Sequence, residues 1–481
     1  MEGRRRPTAY VAIAVIILVL VGWLIARYRV KRTLLANLSS NDMKVRVDAT
    51  RKLLEMGKLS DSLPAQAIIV RSKTAEALGE IGSGDALAVL AEILRDQEEK
   101  PRQWARRALV KQGMRAMPVL LAALSAGGGT RDETIEALKQ IGPQTAPELR
   151  FFLSDRSAYG AAAAALAKVR GVGVDALVRG CYCPDGDVRG AALTSMGLEG
   201  LQAAVEPALY NLRPLADSKK GEAMKALGLL KAKRAVPVII PFLKDKDNRE
   251  TAVTALGQIG DQRAVEPILA TLMETEKRYR NAAILALGRI GPPAFPALIR
   301  ELRSPEVLLR RAAADALVGS DSPQVSSALM AALRDSDEEV RASAALSLGW
   351  QGNVEAVPAL VAAVSDSSWR VVDAAVSALG DIGVSAVDKL LAVLRSPAES
   401  TIVRYQISRA LIAVGRPAVP KLVTALGEPS PSVQKWAAVS LGQIGDPSAV
   451  GALKRLESSP DPDVRWVVQE QLRRLTSLTG T

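Results

Sequence analysis

The apolar positions of this chain repeat on two scales. Within DSDEEVRASAALSLGWQG (335–352), small or apolar residues fall at Val340, Ala344, Ala345 and Leu348. That spacing (i, i+4, i+5, i+8) is one face of an α-helix. A second apolar run follows each such stretch, for example AVEPILATL at 264–272. On the longer scale the whole phrase returns. Residues 252–272 read AVTALGQIGDQRAVEPILATL, 375–394 read AVSALGDIGVSAVDKLLAVL, and 437–456 read AAVSLGQIGDPSAVGALKRL.

Aligned on the leucine of ALGxIG, the phrase has fifteen anchors: Leu53, Leu78, Leu109, Leu138, Leu166, Met196, Leu227, Leu256, Leu287, Leu317, Leu348, Leu379, Leu411, Leu441 and Leu472. Their spacing runs from 25 to 32 residues. A period of this size predicts a solenoid. Gly stands four residues after the anchor in eleven copies: 57, 82, 113, 142, 200, 260, 291, 352, 383, 415 and 445. Gly there suits a left-handed residue that ends a helix. Pro stands near the start of the second run at 118, 147, 207, 237, 267, 296, 358 and 420, where the first helical turn tolerates it. Each copy therefore predicts helix–turn–helix. One copy cannot bury its apolar stripe on both sides, and stacking supplies the missing wall.

The consensus VRxxAAxALGxIGDxxAVxxL resembles the short HEAT repeat of the kind first named for phycobilisome lyases, over about 40–476. The resemblance implies an all-α fold. The expected fold is a right-handed α-solenoid of about 15 helix–turn–helix HEAT-like repeats, preceded by one transmembrane helix.

The transmembrane expectation comes from AYVAIAVIILVLVGWLIA (9–26), which carries no charge. As a helix it spans roughly 27 Å, enough to cross a bilayer. Tyr10 and Trp23 lie near its ends, where amphipathic rings favour the interface. It ends in IARYRVKR, without a small-residue cleavage site, which favours an uncleaved anchor over a signal peptide. The expected layout is a basic tail at 1–8, the span at 9–26, a basic juxtamembrane linker at 27–40, the solenoid at 41–476 and a tail at 477–481. Arg27, Arg29, Lys31, Arg32, Lys44, Arg46, Arg51 and Lys52 follow the span, against Arg4, Arg5 and Arg6 before it. The positive-inside rule then leaves the solenoid on the cytoplasmic face of a single-pass membrane protein.

Composition narrows the chemistry. Apolar residues make up 48% of the chain and aromatics only 4%, which fits many small helix contacts. The net charge of +12 divides unevenly: residues 1–32 hold seven basic side chains against one acid, and the rest hold 56 against 50. A near-balanced solenoid is a weak footprint for nucleic acid, which is not an expected partner. The chain has no histidine. That removes Ser-His-Asp and Cys-His catalysis, HExxH zinc chemistry and His/carboxylate iron sites. Cys181 and Cys183, the two cysteines, read as ordinary thiols. Catalytic, cofactor-binding and metal-binding residues are all expected to be none.

Two charged features remain. Seven residues before the anchor stands Arg, at 46, 71, 102, 131, 189, 249, 280, 310, 341, 404 and 465, with Lys220 in a further copy. Four residues before that position stands an acid: Asp42, Glu98, Asp185, Asp245, Glu276, Glu306, Asp337 or Asp461. The acid suits a helix N-terminus. The Arg can pair with it or with the acid of the next copy, and the HEAT resemblance implies such pairs stacked along the turn line. Arg46, Arg71, Arg189, Arg249, Arg280, Arg310, Arg341, Arg404 and Arg465 are thus a structural ladder rather than a phosphate grip. Tyr159, Val372 and Gln434 break it, and Trp369 and Trp436 lie close to two of the breaks. The second feature is a run with no acid: Lys100, Arg102, Arg106, Arg107, Lys111, Arg115 and Arg131, with Trp104 inside it. Lys100 to Arg115 form the candidate interaction patch, for acidic lipid, an acidic partner or nucleic acid. The bland alternative is a solvated basic face.

The functional expectation is a membrane-anchored scaffold that binds a protein partner on its solenoid surface, with second-helix residues as the expected contacts. The alternative is a phycobilin-lyase-like chromophore or protein-modifying enzyme, which the chain resembles only in its repeat. Deoxyhypusine hydroxylase has similar repeats but carries His-Glu iron motifs that this chain lacks.

Overall fold

The computed structural model describes residues 20–479, apart from 22, 24, 25, 65, 127–130, 154, 156, 157, 170, 214–218, 274 and 275. The described residues are helical and contain no strand. They divide into two compact units, one ending at Leu230 and the other beginning at Lys231. In each unit, consecutive copies of the phrase form helix pairs whose first helices stack on one another. Six pairs run from Met43–Glu55 with Leu59–Ser62 to Gly186–Leu198 with Val205–Asn211 in the first unit, and seven from Arg249–Ile259 with Val265–Ala270 to Pro431–Ile444 with Val450–Lys454 in the second. The fifteenth copy is a single helix, Pro462–Thr479, extending past the expected end at 476.

The anchors are the core. All from Leu53 to Leu441 are 0% exposed, and Leu472 in the terminal helix is 7% exposed. Burying one such side chain stabilises by about 1.5–3 kcal/mol, so each copy depends on its neighbours for its own stability.

The residue after the anchor explains the phrase ALG. A Cβ built on Gly257 would meet Ala286 Cα at 2.7 Å, and one on Gly349 would meet Ala378 Cα at 2.5 Å. Gly197 repeats the relationship with Ala226 Cα at 2.8 Å, and Gly79 meets Ala108 Cβ at 2.8 Å and Cα at 3.3 Å. The alanine just before one anchor thus seats in the glycine notch just after the previous anchor. First helices approach backbone to backbone, and a larger residue on either side would hold them apart.

The glycine four after the anchor has φ between 56° and 105° in all eleven copies that carry it. It takes two forms. Gly82, Gly260 and Gly445 are left-handed helical, with ψ of 16°, 31° and 22°. Gly291, Gly383 and Gly415 instead have ψ of −136°, −149° and −147°. The next residue sorts them. After the left-handed form comes Asp261, Asp446 or Ser83, which accepts from a backbone N–H of the following turn. After the other form comes Pro292, Val384 or Arg416, which cannot accept from a side-chain carboxylate or hydroxyl. In the copy anchored on Leu227, where lysine replaces this glycine, Lys231 takes φ of 51°.

The second helix often opens with a 3₁₀ turn that the sequence does not announce. Val354–Ala356 precedes Val357–Ala363, and Pro358 sits at the junction rather than at a free helix start. The stretch 27–40, expected as a linker, is helical over 26–37 and buries Leu34 and Leu38. Most of the expected span 9–26 lies outside the described residues, and no single helix among the described residues is long and apolar enough to cross a membrane.

Candidate interaction surfaces

The ladder arginines fold back onto their own chain before they reach a neighbour. Arg341 Nη1 donates to the carbonyls of Asp335 and Ser336, six and five residues earlier. Arg46, Arg102, Arg189, Arg310 and Arg465 make the same pair of bonds, at 2.6–3.2 Å. Arg249 reaches the carbonyl six residues back and Arg404 the one eight back. These carbonyls belong to the turn that enters the first helix, so the guanidinium staples that turn. Gln434, in a ladder position, keeps the staple by donating to Glu428 O at 2.8 Å. What looked like a break in sequence is here a conserved bond geometry, whereas Val372 has no donor to make it.

Of the two expected pairings, Arg71, Arg310 and Arg341 make the one with the next copy, through an acid two residues before the expected column. Asp42, Asp185, Asp337 and Asp461 cap their own helices, accepting from Lys44, Asp187, Val340 and Val464 N–H groups. The carboxylates that grip ladder arginines of the preceding copy stand elsewhere. Asp96 takes Arg71, Asp335 takes Arg310 and Asp366 takes Arg341, each through Nε and Nη2. Hydrogen bonding to Arg341 holds the Asp366 carboxyl below its usual range, and the same bond raises the Arg341 guanidinium. Arg46, Arg189 and Arg310 are buried. Guanidiniums so committed leave little to offer a phosphate.

The basic run does not form one face. Arg106 pairs with Glu133 at 2.7 Å and Lys111 with Glu80 at 2.7 Å, so neighbouring copies supply the acids the run lacks. Arg102 is stapled and lies 3.8 Å from Glu133. Arg107 stacks over the Trp104 ring at 5.6 Å. Arg115 is exposed on the 3₁₀ turn Gly113–Ala116. Lys100 and Trp104 alone of the patch line a groove of about 790 Å³ in the first unit. Its apolar lining comes from Ile68, Ile69 and Trp104, and its rim carries Lys73 and Lys100 beside Glu98 and Glu99. Ile69 is 64% exposed.

Sequence reading missed most of the exposed aromatics. Trp350, Trp369, Tyr405 and Trp466 are all exposed on first helices of the second unit. Tyr405 meets Trp436 edge to face, with centroids 6.2 Å apart. Their signal was positional: on these helices they fall off the buried stripe, but only Trp369 and Trp436 drew notice through the ladder breaks. The second helices of this unit, expected to hold the contacts, expose small residues such as Ser327, Ala331, Pro358, Ala362 and Thr424.

Reactive chemistry is sparse. Among the described residues no three His, Cys, Asp or Glu side chains gather where they could hold a metal ion. Cys181 is buried beside Met196, and burial pushes its thiol up to about 12. It is therefore protonated at neutral pH and a poor nucleophile.

Stacked helix pairs, glycine notches and arginine staples define an all-α solenoid of helix–turn–helix repeats. The HEAT-repeat model matches 205–288, 244–318, 265–349, 295–380, 326–402 and 387–473, and a PBS lyase HEAT-like repeat matches 70–96. The chain belongs to the HEAT-repeat family. Comparison with curated proteins gave no match. Among solved structures, Kap121p is similar at 16% identity over 94% of this chain, with a TM-score of 0.41. The chain spans 57% of the length of Kap121p. The CpcE–CpcF complex of phycocyanin lyase from Nostoc is similar at 21% identity, covering 49% of this chain and 93% of that one, with a TM-score of 0.26. Human deoxyhypusine hydroxylase is similar at 22% identity, covering 63% and 96%, with a TM-score of 0.23.

Proposed function

We propose that the chain is a membrane-tethered HEAT-repeat scaffold that binds a protein partner and performs no chemistry of its own. The observation that carries this reading is the groove of Ile68, Ile69 and Trp104 with both signs of charge on its rim. Exposed aliphatic side chains beside a tryptophan are the kind of surface on which interface energy concentrates. A rim holding Glu98 and Glu99 beside Lys73 and Lys100 repels a polyanion and suits an amphipathic peptide segment. Residues 9–26 supply the tether, and the basic residues after them favour a cytoplasmic solenoid.

The test is site-specific photocrosslinking. A photoreactive residue at position 69 of the full chain should give a discrete protein adduct in cells, and Trp104→Ala should abolish it. Adducts that form at Ala362 on a second helix but not at position 69 would move the partner to the second helices and overturn the groove.

A further inference from the structure

We propose that the helix following the apolar run forms, with the first repeat, a site for the headgroup of an anionic phospholipid. This rests on the reading of 9–26 as a membrane tether. Leu34 is buried on one stripe of the helix over 26–37, and Leu38 is buried in the turn that follows it. The same stripe, continued one and two turns toward the N-terminus at i−3 and i−7 from Leu34, carries Lys31 and Arg27. Arg27 and Lys31 share a cleft with Met56 and Lys58, from the turn after the first repeat helix. The cleft, of about 580 Å³, is lined by Arg27, Arg29, Lys31, Arg32 and Lys58, with Tyr28 and Met56.

The chemistry of the lining selects the occupant. No Asp or Glu is among the described residues that line the cleft. Lys58 has a carboxylate nearby, Asp61 at 3.8 Å, and both are well exposed. This contrasts with ladder arginines such as Arg71, Arg310 and Arg341, which are stapled to carbonyls and paired with carboxylates. Position selects it too. Arg27 to Arg32 follow the end of the apolar run by one to six residues. At about 1.5 Å per helical residue they stand within roughly 9 Å of it, inside the reach of an anionic surface potential. The Arg27 guanidinium lies over the Trp23 ring at 5.0 Å. An exposed tryptophan sits at headgroup level and holds Arg27 at that depth. A phosphodiester with a net negative charge fits this lining, and a zwitterionic headgroup brings its own cation into a site that has no partner for one.

The full chain, reconstituted in phosphatidylcholine vesicles with a trace of spin-labelled phosphatidylglycerol or spin-labelled phosphatidylcholine, reports selectivity through quenching of tryptophan fluorescence. Phosphatidylglycerol should be preferred by at least about fivefold, the factor corresponding to one basic side chain near an anionic surface. The combined variant Arg27→Gln, Lys31→Gln, Lys58→Gln should reduce the preference to near one. Lys44→Gln with Arg51→Gln, on the first repeat helix but outside the cleft, should leave it. Equal loss in both variants would mean diffuse charge attraction and overturn the site, as would equal quenching by the two lipids. Release of the wild-type chain from neutral vesicles by alkaline carbonate would instead remove the tether, and the site with it.

Discussion

Arg341 grips both carboxylate oxygens of Asp366, from Nε at 2.7 Å and Nη2 at 2.8 Å, across the boundary between two repeats. Its Nη1 bonds to the carbonyl of Asp335, the residue whose carboxylate grips Arg310. Each rung therefore closes a turn of its own repeat and ties the previous repeat to it. Side-chain exposure is 12% for Arg341 and 13% for Asp366, so the pair is poorly screened by water. Asp366→Asn should destabilise by about 1.5–3 kcal/mol, the range for hydrogen bonds to charged groups. Arg341→Met should cost more, because it also strands two turn carbonyls. Stacked repeats need not unfold in one step, so amide exchange in Glu338–Trp350 and Trp369–Ile382 is the local readout beside urea denaturation. The exposed pair Arg370–Glu339 is the control, and Arg370→Met should cost at most about 1 kcal/mol. Equal effects of Arg370→Met and Arg341→Met would refute the rung as a structural tie.

Acid should release the rungs in a defined direction. Hydrogen bonding to Arg341 holds Asp366 below the usual carboxylate range in the folded chain. An unfolded aspartate titrates near about 3.9. A depressed folded value means the stabilisation is fully present above the unfolded value and is lost as pH falls through the folded one. The stability difference between the parent chain and Asp366→Asn should therefore be flat from neutral pH down to about 5 and shrink below about 4. A difference that instead grew on acidification would contradict the assigned direction.

The glycine notch predicts a sign reversal between two substitutions of the same type. Replacing a helix-interior glycine by alanine ordinarily stabilises by roughly 1 kcal/mol. Gly451, in the first turn of Val450–Lys454, has nothing within 4 Å of a built Cβ, and Gly451→Ala should share that sign with a smaller gain. At Gly257 the new methyl would lie 2.7 Å from the Ala286 backbone, which cannot move without parting two helices. Gly257→Ala should destabilise by about 1–3 kcal/mol, the range for overpacking. Thermal unfolding of the two variants checks both signs in one experiment.

The anchors, the glycines and the helix pairs were legible because each is written in nearly every copy. The residues that pair across copies were not. The bidentate acids Asp96, Asp335 and Asp366 stand 25 residues after their arginines, and all three join copies spaced by 31 residues. Spacing elsewhere varies, so no fixed column of acids marks the ladder, and the visible column at Asp42, Asp185, Asp337 and Asp461 is a set of helix caps. The basic run around Lys100 misled for a related reason. Its counter-charges Glu80 and Glu133 lie outside the run and come close only when repeats stack. The groove at Ile68, Ile69 and Trp104 joins two first helices in the same way, so no single stretch of sequence displays it.

The two forms of the terminating glycine separate backbone strain from packing. Gly260 and Gly291 both have φ of 71° and nothing within 4 Å of a built Cβ. They differ in ψ, 31° against −136°. An L-residue tolerates the first at roughly 1–2 kcal/mol, as Lys231 at φ of 51° demonstrates in this chain. The second lies toward a region that is almost confined to glycine. Gly260→Ala should thus cost about 1 kcal/mol and Gly291→Ala distinctly more, toward about 3 kcal/mol. Lys231→Gly should run the other way and stabilise by a fraction of a kcal/mol, since relief of left-handed strain exceeds the entropy glycine adds to the unfolded chain. Denaturation midpoints for the three variants rank these effects. Equal losses at Gly260 and Gly291 would mean that the turn relaxes to the left-handed form in either case, and that Asp261 rather than the glycine selects between the two caps.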